Sequence, residues 1–200
     1  MNEPLDFYFE FASPYAYLAS LRIGSIAGAY EREVRWRPIM LGAMFKLTGS
    51  VPNVQAPLRG PYFLRDAPRC ARLMDAPFTL PPNLPMNSLA ASRAFWWLHG
   101  ADPDMARGFA EAVFFAHWAE GRDLSAIEQV VEVARTLGID ETALREAVAD
   151  PAIKERLKAE TDHAIERGVF GSPFIFVDGE PFWGADRLDH VERWLASGGW

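Results

Sequence analysis

Strand-forming patterns stand at the two ends of this chain, and the long stretch between them reads as helix. Leu5-Asp6-Phe7-Tyr8-Phe9 is a short apolar run broken only by Asp6, with the poor alternation of a strand buried on both faces. Glu33 to Ile39 alternates apolar and charged residues and predicts a second strand. The signal returns only at Phe174-Ile175-Phe176-Val177 and Pro181-Phe182-Trp183, with Asp178-Gly179 between them as a hairpin mark. From Tyr15 to Tyr30, Leu18, Leu21 and Ile26 recur at helical spacing, and from Asp186 to Ala196 Leu188, Val191 and Leu195 share one helical face. The order is therefore β-α-β, a helical block, then β-β-α. Each end holds half of one sheet.

The middle divides into two textures. Residues 46–85 are rich in proline and glycine and cannot form one regular element, although Asp66–Met74 predicts a short helix. Helical pattern then covers about 87–99, 103–120, 124–137, 141–149 and 151–167. Asp102-Pro103, Asp123, Asp140 and Asp150-Pro151 read as helix starts, and Gly121, Gly138 and Gly168 as helix ends. The predicted class is α/β: a thioredoxin-like domain from 1–45 plus 168–200, interrupted by a helical insertion domain at 46–167. The Pro-rich segment at the start of that insertion is expected to line a pocket.

Composition narrows the function classes. Half of the 200 residues are hydrophobic and 13% aromatic, with 7 Trp and 14 Phe, which suits an apolar pocket able to take an aromatic ligand. A formal charge of −7 without a basic run excludes nucleic acid as the expected partner. No 18-residue apolar stretch or leader-like N-terminus occurs, so a soluble cytoplasmic protein with no membrane contact is expected. Cys70 is the single cysteine, which rules out an internal disulfide. Its expected role is packing, although flanking Arg69 and Arg72 keep a reactive thiol in view.

A thioredoxin-like redox enzyme carries Cys-x-x-Cys where its first strand turns into its first helix. This chain has Ser13-Pro14-Tyr15-Ala16 there, so any sulfur chemistry must come from a ligand. Ser-Pro reads as N-cap and first helical residue. The same helix N-terminus offers N–H donors and partial positive charge to an anion, a thiolate included. Ser13 can thus be a cap, a thiolate site, or both. Pro173 in Gly171-Ser172-Pro173-Phe174 stands directly before a strand, where this architecture places a cis proline whose preceding residue can pair with an extended ligand. Asp186 can cap the last helix or pair with a ligand ammonium group.

The ordered set from Phe7-Tyr8-Phe9 through Ser13-Pro14-Tyr15-Ala16-Tyr17-Leu18, Pro57…Tyr62…Asp66…Arg69, Asn87-Ser88, Gly168-Val169-Phe170-Gly171-Ser172-Pro173 and Phe182-Trp183-Gly184-Ala185-Asp186-Arg187-Leu188 resembles the 2-hydroxychromene-2-carboxylate isomerases. These belong with the kappa-class glutathione transferases in a superfamily of DsbA-like folds, and the resemblance covers nearly the whole chain. It implies a glutathione-dependent cis-trans isomerase, with glutathione as cofactor, a small aromatic carboxylate as substrate and a homodimeric assembly. By the family pattern Ser13 meets the glutathione sulfur and is the catalytic residue. Ser172, beside Pro173, pairs with the cysteinyl part. Ala185 and Asp186 hold the γ-glutamyl end, Asn53 lies near glutathione and substrate, and Arg59 stands where a lysine is common and can take a carboxylate bidentately. The family also commonly has an aromatic residue at position 70, Val at 172 and Thr at 174. Phe174 is therefore expected to reshape the pocket.

Two other readings remain open on the residues alone. One is a kappa-like transferase or peroxidase using the same Ser13. The other is a binding module whose missing cysteines leave a peptide groove. His99, His117, His163 and His190 show no metal-ligand spacing, and no metal site is expected. His117 reads as helix packing with a pocket as the alternative, and Phe95-Trp96-Trp97 as insertion core or dimer surface.

Overall fold

The computed structural model describes residues 3–200. Four strands form one sheet in the order β2-β1-β3-β4: β1 (Leu5–Phe9), β2 (Val34–Pro38), β3 (Phe174–Val177) and β4 (Glu180–Trp183). β1 pairs parallel to β2 and antiparallel to β3, with Phe7 opposite both Trp36 and Ile175. The chain's two ends thus complete each other's sheet. Every residue of β1 is buried, because both faces are covered. Phe7 and Phe9 join the large core with α1 (Pro14–Ala29) and the helical insertion. Tyr8, Phe174 and Phe176 face a second, smaller core with Met44, Ala164 and Val169.

The insertion packs as α4 (Leu89–Ala101), α5 (Pro103–Phe114), α6 (Ile127–Thr136), α7 (Glu141–Ala149) and α8 (Pro151–Glu166). Phe95 and Trp96 are core residues, and the Trp96 indole N–H donates to the Pro38 carbonyl at 3.1 Å, tying the insertion to β2. Asp102, Asp140 and Asp150 each cap a helix with their side chains. Asp123 does not. Its carboxylate accepts from Ser125 and Asn83, and α6 starts four residues later at Ile127 without a side-chain cap. Residues 115–119 continue α5 as a π-helical turn, with His117 fully buried and its Nδ1 at 2.7 Å from the Arg122 carbonyl oxygen.

The Pro-rich stretch holds more helix than its composition predicts. A helix absent from the expectation, α2 (Leu41–Thr48), runs into its start and ends on left-handed Gly49. α3 runs Arg59–Leu73, a full two turns longer at its start than the predicted Asp66–Met74. Pro61 falls in its first turn, where an N–H would have no intrahelical partner, so the helix loses nothing there. Gly60 lets that first turn close on the preceding 3-10 turn Asn53–Gln55, because a Cβ would stand 2.7 Å from the Val54 carbonyl oxygen. The final helix α9 (Leu188–Ser197) follows a 3-10 turn, Ala185–Arg187.

Candidate active site

The junction of β1 and α1 builds the floor of the site. Ser13 has extended backbone angles, and its Oγ accepts from the Ala16 N–H at 3.2 Å, so it caps α1 with Pro14 as first helical residue. The same hydroxyl donates to the Ser172 carbonyl at 3.0 Å. The Ser172 hydroxyl in turn accepts from the Glu10 N–H at 2.8 Å, and the Ser172–Pro173 peptide bond is cis. These bonds join segments about 160 residues apart in sequence at one point.

Above this floor lies a cavity of about 380 Å³, within the size range of small-molecule sites. Ser13 and Ser172 line it, together with Asn53 from the 3-10 turn and Arg59 from the start of α3. Leu41, Gly42 and Phe45 of α2 make one wall, and Phe170 with Trp183 make another. Two larger hollows, of about 540 and 780 Å³, lie elsewhere and contain none of these four residues. We therefore place the site at the smaller cavity, where the polar groups converge.

Three predicted residues fall outside its lining. Pro173 lies beneath it, and its carbonyl accepts from the Gly184 N–H at 3.0 Å. Ala185 and Asp186 occupy the 3-10 turn after β4, beyond Trp183. The Asp186 side chain is largely exposed, 3.4 Å from Arg187, and does not cap α9. Phe174 is not in the lining itself: it packs in the small core and edge-on at 5.3 Å against Phe170 of the cavity wall.

Charge in the cavity is sparse. Among the described residues Arg59 is its one cationic side chain and Glu10 its one carboxyl. Tyr15 also lines it, but its hydroxyl donates to Asp66 at 2.7 Å. Burial, then the Asp66 bond and charge, push that phenol up, so it stays protonated. Cys70 on α3 is half-buried, 3.7 Å from Asp66. Burial and the Asp66 charge push its thiol up as well, which makes it a packed, protonated cysteine.

Sequence reasoning passed over two groups that the structure places in this cavity. Glu10 follows the aromatic run of β1 and carried no signal beyond an ordinary strand end. Phe170 and Trp183 appeared only as parts of longer motifs. Their rings pack edge-on at 4.8 Å, and the indole lies where a Cβ on Gly171 would stand. Glycine there is a requirement of that aromatic wall.

A family model described as a DSBA-like thioredoxin domain matches residues 4–196. The 2-hydroxychromene-2-carboxylate isomerase of Pseudomonas putida is 34% identical, over 94% of this chain and 92% of its own length. The chain belongs to the 2-hydroxychromene-2-carboxylate isomerase family, within the DSBA-like thioredoxin domains. A solved structure of an isomerase of that name superposes with a TM-score of 0.87 at 31% identity, covering 96% of this chain and 94% of the other. More distant is glutathione S-transferase kappa 1 of Rattus norvegicus, 21% identical over 96% of this chain and 92% of its own length. This chain builds its DSBA-like scaffold as a mixed four-stranded sheet with a helical block between the sheet's two halves. Among the described residues no helix is long and apolar enough to cross a membrane, and no cluster of His, Cys, Asp and Glu is placed to hold a metal ion.

Proposed function

We propose that this chain is a glutathione-dependent isomerase that interconverts 2-hydroxychromene-2-carboxylate and trans-o-hydroxybenzylidenepyruvate in naphthalene-type aromatic degradation. The observation that carries the reading is Ser13: a hydroxyl at the N-terminus of a 16-residue helix, on the floor of a mostly apolar cavity, where a thiol-disulfide enzyme of this fold would have its cysteine. The donor set fits a thiolate. Helix N–H groups and a hydroxyl favour the anion, and the cavity carries a single carboxyl.

Bound glutathione supplies a thiolate whose reversible addition to the conjugated double bond leaves a single bond free to rotate. Ser13 is assigned the sulfur. Its hydroxyl proton, directed at the Ser172 carbonyl in the structure, turns to the ligand and frees that carbonyl to accept a ligand N–H. Ser172 and Pro173 hold the cysteinyl part, and Ala185 and Asp186 the γ-glutamyl end beyond Trp183. Arg59 takes the substrate carboxylate, with Asn53 beside it, and the Phe170–Trp183 wall offers the ligand apolar surface. Preorganised donors of this kind, rather than redox chemistry, carry the rate.

Absorbance-monitored conversion of the chromene carboxylate, with and without glutathione, tests the assignment. Turnover should require glutathione, and Ser13→Ala should lower kcat about 100-fold, the scale of losing one anion-stabilising donor. Turnover that ignores glutathione sinks the cofactor reading. The kappa-class likeness supports a second reading, transfer of glutathione to other electrophiles from the same Ser13, separated by offering model electrophiles in the same assay. A cytoplasmic homodimer completes the proposal, with sedimentation as its check.

A further inference from the structure

Glu10 is the buried ionisable group of the site that the reading above leaves unused. It follows β1 directly, and the Ser13 N–H donates to its carbonyl at 2.9 Å, so it is anchored to the catalytic turn. Its side chain lines the same cavity as Ser13 and Arg59, yet the residue is only 5% exposed. One carboxyl oxygen accepts from the Leu41 N–H at 3.1 Å, while the other, Oε1, has no partner within hydrogen-bonding geometry. A buried polar atom without a partner is costly, and a catalytic role is one of the few physical reasons a protein keeps one.

The groups facing Glu10 are nearly all neutral. The Leu41 N–H of α2 is the one donor within hydrogen-bonding geometry; the Ser88 hydroxyl before α4, which donates to Met40 Sδ at 3.9 Å, and the N–H groups of Phe11 and Ala12 in the β1–α1 turn lie nearby. The other ionisable side chains on the cavity are Tyr15, engaged by Asp66, and Arg59. Burial therefore outweighs these neutral donors, and the carboxyl is pushed up to about 7. Near neutral pH both protonation states are populated, the condition under which a carboxyl works as acid and as base.

We propose that Glu10 is the proton carrier of this site, acting on the oxygens of the ring-closed substrate. This rests on the isomerase reading. The substrate is a cyclic hemiketal: its C2 bears both the ring oxygen and a hydroxyl. Opening the ring breaks the C2–O bond, whose electron pair goes to the phenolic oxygen, while the hydroxyl loses its proton and becomes the ketone. Ionised Glu10 takes that proton and then returns it to the phenolic oxygen. No proton is gained or lost overall, and the carboxyl ends as it began. Closure is the same path reversed.

Glu10→Gln tests this, because the amide oxygen still accepts from the Leu41 N–H while the group no longer titrates. The variant should bind glutathione within about twofold of wild type, lose about 100-fold in kcat, and lose the limb of the kcat–pH profile centred near 7. Its thermal midpoint should also lose the fall between pH 5 and 8 that Glu10 imposes on wild type. A Glu10→Gln enzyme that keeps wild-type kcat and pH profile overturns the proposal. Wild type alone gives an independent reading. An infrared band of a protonated carboxylic acid should titrate near neutral pH and shift when the chromene carboxylate is added, and its absence overturns the proposal even if the variant does not fold. A wild type that never turns over the chromene carboxylate sinks both the isomerase reading and the proton carrier. A wild type that turns over beside a fully active variant sinks only the carrier.

Discussion

Asp6, the second residue of β1, and Glu10, just past its end, are four residues apart and both buried, and the protein treats them in opposite ways. Asp6 meets Arg37 at 2.8 Å and Arg167 at 2.6 Å, and Arg167 also donates to the Tyr8 hydroxyl at 2.8 Å while lying over the Phe176 ring. Burial pushes the Asp6 carboxyl up, but the hydrogen bonds from Arg167 and Arg37 and their charges outweigh it and hold the group below its usual range. Glu10 lies deeper and meets only neutral donors, and the carboxyl rises to about 7. Depth and partner together separate them. One end of the strand carries a fixed negative charge that pins β2 and the end of α8 to the sheet, and the other carries a proton that can move.

The largest expected effect comes from breaking the fixed end. Asp6→Ala leaves Arg167 with only the Tyr8 hydroxyl and Arg37 with only Glu160 at 3.2 Å, both side chains about three-quarters buried, and removing one partner of such a cluster costs about 3 kcal/mol. In a chain of this length that should lower Tm by about 6–12 °C, read by calorimetry. If the cost is below about 1 kcal/mol, the arginines are solvated and the contrast with Glu10 loses its basis. The pH signs are also opposite. Asp6 contributes stability above its unfolded value of 3.8 that is lost on acidification through its lower folded value. Glu10 is raised from 4.5 to about 7, so it still holds its proton at pH values where the unfolded chain has released one, and stability falls as pH rises through that window. Urea unfolding at pH 5 and pH 8 should show Glu10→Gln relatively more stable at pH 8, by at most about 3 kcal/mol. An identical pH dependence in variant and wild type would mean that Glu10 titrates normally.

This asymmetry explains what could be read from the chain alone. The strands, the hairpin at Asp178-Gly179 and the start of α1 at Ser13-Pro14 obey local rules, so residues 5–38 and 174–183 were legible before any packing was known. α7 matches its expected 141–149 because Asp140 and Asp150 punctuate it. α2 was missed because a helix of eight residues, Leu41–Thr48, is too short to establish a helical period. Asp123 and Asp186 looked like caps because an aspartate before a helix usually is one, and long-range partners or exposure decided otherwise. Ser13 and Ser172 stood out through their local chemistry, while Asn53 and Arg59 came forward only through family resemblance. Glu10 gave no signal at all: its burial depends on α2, α4 and the turn before α1 converging, which no local pattern encodes.

Ser13→Ala gives a smaller stability effect than either carboxyl. The variant loses one helix cap and one bond to Ser172, worth about 1–2 kcal/mol together, while turnover should fall far more steeply. Denaturant titration beside kinetics separates the two. A stability loss above about 3 kcal/mol would make Ser13 as structural as Asp6 and would leave any loss of turnover explained by folding alone.

The smallest expected effect is a control on burial itself. Arg22 and Asp189 join α1 to α9 at 3.0 Å, nearly the Asp6–Arg37 distance, but their side chains are 40% and 79% exposed. Water already solvates both charges, so the pair gains little Coulomb energy and loses side-chain freedom. Arg22→Ala should cost less than about 0.5 kcal/mol and leave the pH dependence of stability unchanged. Salt near 1 M should remove even that, because it shortens the screening length to about 3 Å. If Arg22→Ala instead costs as much as Asp6→Ala, ion-pair distance rather than burial sets the energy at these sites. The high titration of Glu10 could then no longer be attributed to its depth, and the link from its unpartnered oxygen to a mobile proton would need another cause.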